Sequence, residues 1–292
     1  MRKDDKDKIS ENELLPDESA APSATTTPVV AELLRAAADH KLTEDLALAL
    51  LKRADLPAEV LEQLAKNVSA LKSRKVKIAI ASHPRTPRHV SVPLARQFYT
   101  FDLVKVALSP NVSADVRVAV DNVLISRVKT VTIGERLALA RRASGRVAVA
   151  LLLDTGRNTD TADDGGESVE GNPSTIKTAK TIPPGLRVVR LALDNPRLTE
   201  VLLTNCVLRP DASAALVHAV AEHPKWSRRK EIRAALLRTE HLSLANALEF
   251  SQEIPPPLIG ELLANSRLPP KIKNRLLSEK LPPNSRKRGP VK

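Results

Sequence analysis

Cysteine and aromatic side chains are nearly missing from this chain, and each shortage removes a class of protein. The single cysteine, Cys206, excludes a disulfide framework and any CxxC-type metal site. Five aromatic residues (Phe98, Tyr99, Phe101, Trp226 and Phe250) among 292 are too few and too scattered to line an aromatic ligand pocket. No cofactor and no small-molecule substrate is inferred, and the interior has to be filled by Leu, Val, Ala and Ile. Long apolar runs are also lacking: the longest, Val147 to Leu153, falls far short of the roughly 20 residues that span a bilayer. The charged start Met1-Arg2-Lys3-Asp4-Asp5-Lys6 has no apolar stretch behind it, so no signal peptide or membrane span is expected and a cytoplasmic protein is the expectation.

Catalytic signatures are absent as well. There is no HExxH, GxSxG, GxGxxG or GxxxxGK[ST], and His218 and His223 lie five apart rather than four. The run Asp160-Thr161-Ala162-Asp163-Asp164-Gly165 resembles a calcium loop only faintly, because Ala162 and Gly171 stand where ligands are needed. No catalytic or metal-binding residue is assigned, and the chain is read as a non-enzyme.

What is present is a repeated turn. Ala79-Ile80-Ala81-Ser82-His83-Pro84-Arg85-Thr86-Pro87-Arg88-His89-Val90 returns in altered form at 192–201, 220–228 and 263–270. Proline disfavours helix for the residue before it, so helices are predicted to stop at His83, Asn195 and His223. A start residue follows three places after the proline, where Ser or Thr can cap an orphan N–H and Pro needs no partner. The start column reads Thr43, Pro57, Pro87, Ser113, Ser144, Thr199, Ser227, Ser243 and Pro269, and the third residue after it is apolar in seven of these nine cases, Leu46 and Val60 among them. Intervals near 26 to 30 residues fit two short helices per repeat. Nothing reads as a strand.

Three segments break the pattern. Residues 1–30 are charged and then Ala/Pro/Thr-rich, and are expected to be a disordered arm. Residues 155–187 hold five of the nine glycines and five acidic residues, and read as a flexible insertion; residues 284–292 form a basic tail. Between arm and tail, residues 31–283 are expected to form an all-α array, an α-solenoid of stacked short helix pairs, because helices of about ten residues are marginal alone and need neighbours.

The turn units at 79–90 and 192–202 resemble those of leucine-rich-repeat-variant proteins, within the wider HEAT-like class. The resemblance implies short alternating helices wound into a superhelix, over roughly residues 31–281. The cysteine cluster that holds an iron–sulfur centre in one type of member has no counterpart here.

Charge completes the reading. The chain carries +12, yet residues 1–30 hold four basic and seven acidic side chains and residues 155–187 hold four and five, so the remainder holds +16, of which the tail supplies +4. One column of the turn unit, the position after the proline or its equivalent, is filled by Lys41, Arg85, Arg197, Lys225 and Arg267. These five are the candidate binding residues, expected to align as a basic ridge, with offsetting of helix-end carbonyls as the alternative role. The expected function is a binding scaffold or adaptor for an acidic protein partner; the alternative is nucleic acid bound through phosphates. A third class, a HEAT-like DNA glycosylase, is disfavoured by the scattered aromatics.

Overall fold

A computed structural model describes residues 28–160 and 183–280. The expected arm up to residue 27, the core of the expected insertion (161–182) and the basic tail lie outside the described residues.

Among the described residues the protein is all-α, with seventeen helices and no strand. In chain order these are α1 (Pro28–Ala38), α2 (Glu44–Leu51), α3 (Ala58–Lys66), α4 (Val68–Leu71), α5 (Arg74–Ser82), α6 (Arg88–Arg96), α7 (Thr100–Leu108), α8 (Ala114–Arg127) and α9 (Ile133–Arg142). They continue as α10 (Gly145–Asp160), α11 (Pro184–Leu193), α12 (Glu200–Val207), α13 (Ala214–Ala221), α14 (Lys230–Leu236), α15 (Leu244–Gln252), α16 (Pro256–Ala264) and α17 (Pro270–Lys280).

Packing sorts most of these helices into two rows. In one, α1, α3, α5, α7, α9, α11 and α13 each lie against the next; in the other, α6, α8, α10, α12 and α14 do so. The rows meet through pairs such as α5 with α6, α7 with α8 and α10 with α11, and α15 to α17 close the described chain.

The start column accounts for eight helices. Thr43 and Thr199 accept from the N–H groups of Leu46 and Leu202, and Ser243 from Asn246, while Pro57 and Pro87 begin helices with no side-chain cap. Ser227 is the exception. The chain runs on through turns to Arg229 and α14 opens at Lys230, with the Ser227 N–H bonded to the His223 carbonyl. The apolar residue three places on is not always inward either: Leu46 is 58% exposed, and Ala47 takes the buried place beside it. The column just before each start is the consistent one. Leu56, Val112, Leu198, Trp226, Leu242 and Leu268 are all buried, and Thr86 joins them by donating its hydroxyl to the Ile80 carbonyl at 2.6 Å.

The edges of the insertion are narrower than 155–187. Helix α10 continues past Leu153 to Asp160, Thr155 is buried, and α11 begins at Pro184, where proline suits the first helical position. Likewise Pro28 opens α1, so residues 28–30 belong to the helical part rather than to the arm.

Hydrogen bonds join each turn to the one before it, 28 to 30 residues back at Asn67 and His83 and 52 to 55 back at Asn195. Asn67 donates its amide N–H groups to the carbonyls of Ala37 and Asp39, while its Oδ1 accepts from the Ser69 and Ala70 N–H groups. His83 does the equivalent with a ring: Nε2 donates to the Arg53 carbonyl at 2.9 Å and Nδ1 accepts from the Arg85 N–H. Asn195 reaches Ala140 and Ala143 and accepts from the Arg197 N–H. His and Asn can both fill this place because each offers an acceptor for its own turn and at least one N–H donor for the turn before. The carbonyls served belong to the preceding turn, not to the helix that the residue ends.

Candidate binding surface

All five residues of the predicted basic column are exposed, but its three arginines donate to backbone carbonyls of neighbouring turns. Arg85 donates to the Asp55 carbonyl at 3.0 Å, and Arg197 to the Arg142 carbonyl at 3.4 Å. Arg267 reaches the Leu208 and Arg209 carbonyls at 2.8 and 3.3 Å. The Lys225 ammonium sits 4.1 Å from the centre of the Trp226 ring, and Lys41 bonds Asp39 Oδ1 through its backbone N–H. Arg127, outside the predicted column, donates to the Arg96 and Phe98 carbonyls at 2.6 Å each. Helix ends leave carbonyls without partners, and these guanidinium groups supply donors where the next turn is laid down.

Charge without such a task gathers elsewhere, in a groove of about 770 Å³ across α7, α9 and α11. Its guanidinium groups are Arg141 and Arg142 from the last turn of α9 and Arg187 and Arg190 from α11. Among the described residues none of the four side chains has an ion pair or hydrogen bond, and among them no carboxylate lines the groove. The floor is apolar: Gly134, Leu137 and Ala138 lie at i, i+3 and i+4 on α9, with Leu191 opposite. Phe101 stands at the rim, 43% exposed.

Local sequence explains how each wall is held. Thr132 and Glu135 form a reciprocal capping box that starts α9, and the Thr132 N–H and hydroxyl hold the Glu135 carboxyl below its usual range. Arg141 and Arg142 sit favourably at the negative end of the α9 dipole. Arg136, which points the other way, pairs with Asp154 of α10 at 2.8 Å and fastens the back of the wall. On α11, Val188, Val189, Ala192 and Leu193 are buried, which turns Arg187 and Arg190 outward.

The basic surface narrows on both sides of this groove. Toward α5, Arg74 pairs with the buried Asp102 at 2.6 Å, Lys105 lies 4.0 Å from the same carboxylate, and Lys75 pairs with Glu44 at 2.9 Å. Toward α13, the next groove places Asp194 and Glu222 beside Arg190. None of the groove's four arginines belongs to the basic column read from the sequence, and Arg187 falls at the end of the expected insertion 155–187. The visible signal was the i, i+3 pair Arg187/Arg190 ahead of an apolar stripe.

Cys206 is buried, and burial pushes its thiol up to about 12. Among the described residues no three potential ligands gather as a metal site, and no helix is long and apolar enough to cross a membrane. No protein-family model, curated protein or solved structure matches this chain.

Proposed function

We propose that this chain is a non-enzymatic helical-repeat scaffold, an α-solenoid of the leucine-rich-repeat-variant or HEAT-like kind, that binds a protein partner carrying acidic groups. The repeat reading is supported by the two helix rows and by the turn-to-turn hydrogen bonds, whose donors and acceptors are separated by 30 residues at His83 and Arg85 and by 28 to 30 at Asn67. In a solenoid each unit covers the apolar face of the next and the outer surface is left free for a partner.

The observation that carries the binding role is the convergence over an apolar floor of four guanidinium groups that have no partner among the described residues. The end of α9 favours Arg141 and Arg142, but Arg187 and Arg190 lie on another helix, gain nothing from that dipole and repel them. An anionic partner relieves that repulsion and uses the planar donors of arginine.

Affinity capture from native lysate, with and without nuclease, tests this reading. The wild-type chain is expected to retain protein after nuclease treatment, and the R141Q/R142Q/R187Q/R190Q variant to lose it. Capture that disappears with nuclease and survives that variant, but is lost when Lys41, Arg85, Arg197, Lys225 and Arg267 are changed to Gln, would replace the reading with nucleic-acid binding through the basic column.

A further inference from the structure

We infer that the α7–α9–α11 groove receives a short acidic amphipathic helix of the partner, two to three turns long, with apolar side chains on the floor and carboxylates on the four arginines. This rests on the protein-binding reading above and specifies what part of a protein the site takes.

Three properties of the groove point to that occupant. Its walls are helices of ten residues each, so at 1.5 Å per residue the slot is about 15 Å long, the length of an equally short helix. Its floor of Gly134, Leu137, Ala138 and Leu191 offers apolar surface flanked by cations, which is the complement of an apolar stripe flanked by Asp and Glu and matches helix-in-groove recognition. Finally, carboxylates flank the groove on both sides. On the α5 side Arg74, Lys105 and Lys75 are drawn to Asp102 and Glu44, and the α11–α13 side carries Asp194 and Glu222. A nucleic-acid backbone needs a cationic track running on along the row, whereas a peptide of three turns needs charge only where it lies.

Gly134 supplies the means of testing this without disturbing the fold. A Cβ added there meets no atom within 4 Å, so a leucine at this position projects into the open groove, and glycine is the weaker helix former of the two.

The experiment uses the full chain and fluorescence anisotropy at physiological salt. The probes are a labelled 14-residue peptide with Leu at i, i+3, i+4 and i+7 and Glu on the flanks, a scrambled peptide of the same composition, the Gln-for-Glu counterpart, and a 14-nucleotide oligothymidine. The patterned acidic peptide is expected to bind, the scrambled and Gln forms to bind at least about tenfold more weakly, and Gly134→Leu to weaken the patterned peptide by a similar factor with unchanged helicity and melting. Arg187→Gln with Arg190→Gln is expected to weaken it as well, and to lessen its salt dependence.

Equal binding of the scrambled peptide, tighter binding of the oligonucleotide, or indifference to Gly134→Leu would overturn the inference. The two readings fail separately. If lysate capture depends on the groove while the patterned peptide does not bind, the occupant is wrong and the protein-binding role stands; if capture ignores the groove, the role itself is lost.

Discussion

Trp226 illustrates how one side chain can serve packing and polarity together. It is 2% exposed, and its indole N–H donates to the Leu193 carbonyl at 2.8 Å, tying the turn after α13 to the end of α11. Trp226→Ala should lower stability by roughly 3 to 5 kcal/mol in urea melts. Trp226→Phe should recover part of this, with the residual deficit reporting the lost bond. Asp121 is the opposite case: it is buried on α8, and burial raises its carboxyl above the usual 3.8 against the opposing pull of Ser144, Arg146 and Arg117. The folded state therefore holds that proton more tightly than the unfolded one. Its contribution to stability falls as pH rises from 3.8 through the raised value, because the charged form is the one penalised. Asp121→Asn is thus expected to melt above the wild type at pH 7, with the gap closing as the pH is taken down toward 3.8. A variant that melts lower at every pH would show the carboxylate to be held by its cationic neighbours instead.

At the scale of elements, the joint between α10 and the turn before α12 is a close approach that requires glycine. Gly145, the first residue of α10, faces the Arg197 carbonyl, and an added Cβ would collide with that oxygen and crowd Leu202. Gly145→Ala should therefore destabilise by about 1 to 3 kcal/mol, although alanine is the better helix former. A thermal melt unchanged by that substitution would mean that the turn can move away. The same turn is held from the other side by Asn195, 1% exposed, whose amide reaches α9 and its C-cap. Helix ends here are secured across the turn-to-turn spacing rather than within each helix, and for that reason short helices such as α12, of eight residues, can persist.

Across the whole molecule, packing is between neighbours along each row and between facing rows. Damage should then stay local, as expected of quasi-one-dimensional arrays. Leu216 is fully buried on α13, a helix that packs against α10, α11 and α14. Leu216→Ala should accelerate amide hydrogen exchange in those helices and leave α1 to α5 unchanged. Uniform acceleration from end to end would indicate a single cooperative unit instead.

The sequence by itself determined the all-helical class and most of the helix starts, since proline geometry and side-chain caps act within a few residues and need no tertiary partner. Eight of the nine predicted starts rest on such local chemistry, and the ninth, Ser227, gives way because its N–H is taken by the His223 carbonyl, which prolongs the turn. The equivalence of His83 and Asn195 was visible as a column, but the carbonyls they serve were not, because those lie 30 and 52 to 55 residues away. The same limit governed the candidate binding surface. A basic column is a statement about spacing, whereas the tertiary structure decided which cations were spent on carbonyls, as Arg85 and Arg267 are, and which, like Arg141 and Arg190, have no partner among the described residues. That distinction depends on which side chains α9 and α11 bring face to face, and only the packing of helices that begin at residues 133 and 184 brings them there.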